Sequence, residues 1–239
     1  MSMKICTLNT WNCDGDYGAR LRLMAAETAR ISPDILMLQE NYAGEAGDTA
    51  GRLSEAMGGA RVDIAPSGLA MLTKGDILSS RAVPLPAPED DMSRFAQIVE
   101  IDCDGARVLA ANTHLTYFLE ADAIRRTQIE TALAALPPLA GYEAAVMGGD
   151  FNCPPDSPAI RWLVENAGAT DIVAAACADF TTRDFSSRYP PRRIDYLFLP
   201  DCGGKIRIDG ATRVFDAPDP ALGIFPSDHY GVLAELSIG

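Results

Sequence analysis

The stretch Ala144-Ala145-Val146-Met147-Gly148-Gly149-Asp150-Phe151-Asn152 decides how this chain is read. Its small and apolar residues predict a buried strand over 144–149, and the strand runs without a break into a carboxylate, with an amide two residues further on. A buried strand that ends in a charge needs something for that charge to do.

Working outward from Asp150, the same ending recurs. "KICTLN" ends at Asn9, "DILMLQE" at Glu40 and "VLAANTH" at His114, while "RRID" carries Asp195 within a strand and "FPSDH" delivers Asp228 and His229 just before the last strand. One such ending means little, but here they converge. His114 and His229 are the only histidines in the chain, and both stand at strand termini, in the company of Asn112 and Asp228 respectively. Imidazole is the side chain whose protonation changes most readily near neutral pH. The set is rich in oxygen donors and lacks a serine or cysteine in a nucleophile elbow. Such donors suit Mg²⁺ or Mn²⁺ better than Zn²⁺, which favours His and Cys. A divalent cation on phosphate oxygens, with a carboxylate that orients water, is what in-line phosphoryl hydrolysis needs.

Between these endings, strand-like and helix-like segments alternate. Strands are expected at 4–8, 35–38, 61–64, 69–72, 77–83, 95–102, 106–113, 144–149, 194–199, 205–208 and 230–236. Helices are expected at 19–31 (Leu21, Met24, Thr28 and Ile31 on one face), 50–57, 120–136 (Ile124, Ile129, Leu133 and Leu136 inward) and after Ser157-Pro158. Asp104-Gly105 reads as a tight hairpin turn. Hairpins mixed with flanking helices favour an α/β fold of two mixed β-sheets packed face to face with helices outside, a four-layer sandwich in a single domain over 1–239.

Composition sets bounds. At 239 residues and 48% apolar, with no long apolar run, the chain reads as a globular protein without a membrane span, and its start shows no apolar signal region; a cytoplasmic location is expected. Six cysteines without CxxC spacing read as reduced core thiols; Cys153, beside Asn152, is the one to watch for oxidation sensitivity. The formal charge of −13 disfavours a wide grip on long nucleic acid, and setting the motif carboxylates aside leaves a strongly acidic remainder.

"TLN", "LQE", "NTHL", "GGDFN", "RIDYLF" and "SDHYGV", in that order, resemble the endonuclease/exonuclease/phosphatase superfamily of DNase I, exonuclease III and the apurinic endonucleases. "TWNCDG" and "FPSDHYGVL" look most like the 5′-tyrosyl-DNA phosphodiesterases. The resemblance implies a DNase I-like fold and roles for these residues. Glu40 would hold the metal with Asn9 and Asp228, and Asp150 would orient or deprotonate the attacking water. Asn152 would support Asp150 and contact phosphate, and His229 would stabilise the transition state or act as base, its ring held by Asp195. His114 would donate to a phosphate oxygen. An alternative register nominates Asn12 and Asp14 instead of Asn9; Asn9 is preferred because Asn12 demands an unusually long first strand.

In "TTRDFSSRYPPRRIDYLF", Arg183, Arg188, Arg192 and Arg193 crowd one loop. They read either as a solvated loop or as a grip on substrate phosphate, with Arg188, Arg192 and Arg193 the expected contacts. Arg125 and Gln128 are expected to brace the site. The expected activity is a Mg²⁺-dependent (or Mn²⁺-dependent) phosphodiesterase acting on nucleic acid ends, with no obligate protein partner evident. The rival is a phosphatase or phosphodiesterase of a small phosphorylated metabolite or lipid headgroup. A third reading, an inactive binding module, is disfavoured because every motif position is filled.

Overall fold

The computed structural model describes residues 1–174, 180–183, 190–201 and 206–239. The chain runs β1 (Ser2–Asn9), α1 (Tyr17–Ile31), β2 (Ile35–Gln39), β3 (Ala43–Gly44), β4 (Gly47–Asp48), α2 (Thr49–Ala56), β5 (Arg61–Ala65), β6 (Leu69–Thr73) and β7 (Asp76–Leu85). It continues through β8 (Arg94–Cys103), β9 (Ala106–His114), α3 (Asp122–Ala134), β10 (Ala144–Asp150), α4 (Pro158–Glu165), β11 (Thr170–Asp171), β12 (Asp195–Leu199), β13 (Ile206–Val214) and β14 (Gly231–Ile238). One six-stranded sheet has the order β13-β14-β1-β2-β6-β5 and the other β11-β12-β10-β9-β8-β7. Both are mixed: β1 is parallel to β2 but antiparallel to β14, and β10 is parallel to β9 but antiparallel to β12.

Side-chain alternation explains the four layers. Along β2, Ile35 and Met37 join Ile5, Val108, Val146 and Leu197 in a core between the sheets, whereas Leu36 and Leu38 face Met24 of α1 and Leu53 of α2. In the second sheet, Tyr196 and Phe198 turn outward onto Ile129 of α3 and Leu163 of α4. The expected sandwich of two mixed sheets with outer helices is the observed one.

The same parity places the chemistry. The rows facing the other sheet run Met3, Ile5, Thr7, Asn9 in β1; Val108, Ala110, Asn112, His114 in β9; and Ala144, Val146, Gly148, Asp150 in β10. Each row is apolar at one end and polar at the other, so the polar ends meet at one edge of the seam. Gly149 makes the approach possible: its φ is +132°, and a Cβ there would lie 1.9 Å from the Thr113 carbonyl.

Some boundaries differ from the sequence reading. β13 extends to Val214 rather than ending at 208, and the two-residue strands β3, β4 and β11 were not expected, being too short for a pattern. The Asp104-Gly105 turn is the expected one, both residues having positive φ between paired Cys103 and Ala106. In α3, Ile129 is inward as expected, but Arg125 and Gln128 take the buried positions beside it and Ile124 stays at the margin.

Candidate active site

Cross-strand register sets His114, Asp150 and Asp195 side by side, since Asp150 pairs with His114 on β9 and with Asp195 on β12. The first sheet supplies Asn9 and, one residue past β2, Glu40, whose φ of 52° turns the chain sharply as it leaves the strand. Asn9 ties the halves together: its amide nitrogen donates to Glu40 Oε1 at 3.0 Å and to Asp150 Oδ2 at 3.1 Å. The Trp11 N–H donates to Asn9 Oδ1 at 3.0 Å, which fixes the amide with its oxygen turned away from the carboxylates. In this geometry the Asn9 amide bridges the two carboxylates, which places it beside Glu40 as the sequence reading expects. Asn12 lines the rim of the cleft, and Asp14 is exposed beyond it.

Asp150 is 1% exposed, and its Oδ1 accepts the Asn152 N–H at 2.9 Å. Asn152, at a φ of 52°, anchors its own amide on the Leu115 carbonyl at 3.0 Å. His229 Nδ1 lies 2.9 Å from Asp195 Oδ2, and His229 Nε2 is 3.9 Å from Asp150 Oδ2. Burial alone would push the His229 pKa down, but the Asp195 charge and hydrogen bond, with Asp150 and Asp228 behind them, raise it well above its ordinary value. His114 goes the other way. Burial, opposed by Asp150 and reinforced by Arg94, lowers it to about 4, so the ring is neutral at pH 7, with Nε2 3.5 Å from Asp150 Oδ2.

Burial raises the pKa of both Glu40 and Asp228, and Asp150 adds to each shift. Carboxylates crowded at low dielectric attract a cation, and hard oxygen donors fit Mg²⁺ or Mn²⁺. Asp150, Asp195 and His229 also present donor atoms within 4.8 Å of one another. In that trio His229 Nδ1 is already engaged by Asp195, so the grouping suits proton handling, while Glu40 and Asp228 are close enough to feel the Asp150 charge.

Two clefts meet at Asn152 and His229. The larger, about 580 Å³, is lined by Glu40, Asn41, Met92, Arg94, His114, Tyr117 and Asp150, among others. The smaller, about 220 Å³, is lined by Thr182, Arg183, Pro190, Arg192 and Asp228. Arg192 thus stands where an anion grip is expected, while Arg188, Cys177 and Cys202 lie outside the described residues. Arg193 does not fit that expectation: its buried guanidinium pairs with Asp171 at 2.8 Å and stacks on Tyr196, which holds β11 against β12. Arg125 and Gln128 brace the loop after His114, Arg125 through the carbonyls of Thr116, Phe118 and Leu119 and Gln128 through the Thr116 N–H.

Sequence reasoning missed two arginines. Arg94 forms a buried pair with Asp91 beneath the large cleft, and the i, i+3 spacing of "DMSR" was its only signal. Arg20 clamps the 10–14 loop, and nothing in the local pattern marks it.

The family model described as Endonuclease/Exonuclease/phosphatase family matches residues 9–229. None of the curated proteins matches the chain in sequence. Among solved structures, an endonuclease/exonuclease/phosphatase from Bacteroides vulgatus superposes with a TM-score of 0.79 at 18% identity, over 100% of both chains. D. rerio TDP2 complexed with a single-strand DNA product does so with 0.77 at 18%, over 99% of both. The human Nocturnin catalytic domain with bound sulfate gives 0.77 at 18%, over 100% of this chain and 94% of that one.

Proposed function

Because the chain belongs to the endonuclease/exonuclease/phosphatase family, we propose that its strand-end cluster hydrolyses phosphoesters with a divalent cation, acting on phosphodiesters at nucleic acid ends. The observation that carries this reading is the meeting of Glu40, Asp150 and the Asp195–His229 pair at the junction of two clefts.

A bound Mg²⁺ or Mn²⁺ neutralises phosphate oxygens and polarises the phosphorus centre. Glu40 would hold the cation, with Asp228 and Asp150 adding negative charge. Asp150, its two oxygens fixed by Asn152 and Asn9, orients the attacking water and takes its proton. His229, an imidazolium at neutral pH, directs Nε2–H at the charge that grows on the phosphoryl oxygens, and Asp195 keeps that ring oriented. Neutral His114 donates to another phosphate oxygen.

The nucleic acid reading is supported by the arginine-lined second cleft and by the likeness to TDP2 holding a DNA product. A small phosphorylated metabolite or lipid headgroup is the second reading, favoured by the net charge of −13 and by the engagement of Arg94 with Asp91 in the larger cleft. The test is a substrate panel assayed with Mg²⁺, with Mn²⁺ and after EDTA: single- and double-stranded DNA, 5′-phosphotyrosyl DNA, RNA, inositol phosphates, sphingomyelin and bis-(p-nitrophenyl) phosphate. Activity should vanish with EDTA and return with either ion, whereas full activity of stripped protein sinks the mechanism. Steep loss of binding with salt supports nucleic acid, and insensitivity supports the small substrate.

A further inference from the structure

Arg20 lies on the inner face of α1, only 1% exposed. All its bonds go to main-chain carbonyls: Nε to Asp14 at 2.9 Å, Nη1 to Thr10 at 2.8 Å and Pro226 at 3.3 Å, and Nη2 to Trp11 at 3.0 Å and Asn12 at 2.9 Å. An arginine has five N–H donors in a rigid fork, and here every one has an acceptor.

The loop it holds is strained. Trp11 and Asn12 have φ of 54° and 43°, two consecutive left-handed residues without a glycine, and Glu40, against which they pack, has 52°. The Asn12 N–H and the Thr10 hydroxyl both donate to the Glu40 carbonyl, at 3.1 and 2.8 Å. On the other side, Pro226 leads into Ser227, whose hydroxyl donates to the Asn9 carbonyl at 2.7 Å, and then into Asp228 and His229. One buried guanidinium therefore joins the segment after β1 to the segment before β14, and both press on the carboxylates of the site.

We propose that Arg20 is a positioning residue: it holds the left-handed loop at 10–14 and so fixes Glu40, Asn9 and Asp228 in the arrangement that cation-dependent hydrolysis uses, without touching substrate. This rests on the function proposed above. Lysine retains the charge but cannot serve five carbonyls at once, so Arg20→Lys separates charge from geometry.

Trp11 is a built-in reporter, because the Arg20 guanidinium lies 4.7 Å from its ring centre and Trp162 is the only other tryptophan. In a Trp162→Phe background, Arg20→Lys should raise the acrylamide quenching of Trp11 about twofold and weaken Mg²⁺ binding, by calorimetry, at least about tenfold. It should also lower kcat while KM shifts by less than about threefold, the pattern of a lost transition-state arrangement. Leu53→Ala, a cavity in the core behind the same sheet, should lower Tm and leave Trp11 quenching and Mg²⁺ affinity unchanged. Native quenching and native Mg²⁺ affinity in Arg20→Lys overturn the proposal. If that variant does not fold, hydrogen exchange of the wild-type protein decides: amides 11–14 protected like those of α1 support the clamp, and exchange at open-loop rates overturns it. Loosened Trp11 and weakened Mg²⁺ binding in a protein that hydrolyses no phosphoester would leave the clamp standing and refute the function instead.

Discussion

Asp195→Asn is the substitution that probes the site most directly. Asp195 is fully buried and holds His229 Nδ1 at 2.9 Å, and its other oxygen, Oδ1, has no partner among the described residues. Asparagine keeps the shape and removes the charge. Without that charge the largest influence raising the His229 pKa is gone while the burial that lowers it remains, so the pKa falls and the protonated ring is less populated when the phosphoryl charge develops. Losing a charged donor at that point should lower kcat about 10²-fold, equivalent to about 2.7 kcal/mol, with KM nearly unchanged. The assay is kcat at saturating Mg²⁺ between pH 5 and 9, and the deficit should shrink toward the acid end as the ring is reprotonated. Stability has a sign that can be checked. Because the folded-state pKa of His229 is raised, its contribution is complete below the unfolded value of about 6.5 and is lost as pH rises through the folded value. The Tm gap between wild type and Asp195→Asn should therefore be widest in mild acid and narrow with alkalinity. Native kcat in the variant, or fully additive losses when it is combined with His229→Ala, would falsify the idea that the two residues act as a unit.

Arg192→Ala should raise KM for an anionic substrate by about tenfold, the equivalent of one charge-assisted contact, and unchanged kinetics would return the arginine to a solvated role. Burial raises the Cys153 thiol to about 11, whereas Cys13 is exposed. In folded protein, iodoacetamide should therefore modify Cys13 and spare Cys6, Cys103 and Cys153, as read by peptide mass mapping; rapid modification of Cys153 would reopen an oxidation-sensitive site.

The fold was legible where hydrophobic patterning spans whole strands. "ILMLQ" in β2 and "AAVMGGD" in β10 are buried throughout, and a strand buried on both faces belongs in the middle of a layered structure. His114, Asp150, Asp195 and His229 were legible because each ends or adjoins such a strand. What the sequence concealed were contacts set by three-dimensional approach. Arg193 and Arg192 are neighbours in the irregular segment before β12, yet one is buried against Asp171 and the other lines a cleft, a difference that no periodicity reports. The orientation of the Asn9 amide depends on the Trp11 N–H, which reaches back only because Trp11 is left-handed, and no periodicity reports a left-handed residue.

The seam itself explains why the site can be both buried and exact in geometry. Sheets that met only through aliphatic side chains would have many near-equivalent ways to slide, since hydrophobic contact is non-directional. Here the apolar rows give way, one position before the site, to a hydrogen-bonded chain across the interface. Gln39 Nε2 donates to Asn112 Oδ1 at 2.7 Å, and Asn112 Nδ2 donates to the Leu38 carbonyl at 2.9 Å and to Gln97 Oε1 at 3.1 Å, with all three side chains fully buried. Gln97 Nε2 then reaches Asp63 Oδ2 at 2.7 Å. A buried polar chain with its partners in place specifies one arrangement of its surroundings, because any slip leaves amides unpaired at low dielectric. Gln39 adjoins Glu40, and Asn112 stands two residues before His114 on the same face of β9, so the contact that fixes one sheet against the other also fixes the carboxylate of the first against the imidazole of the second.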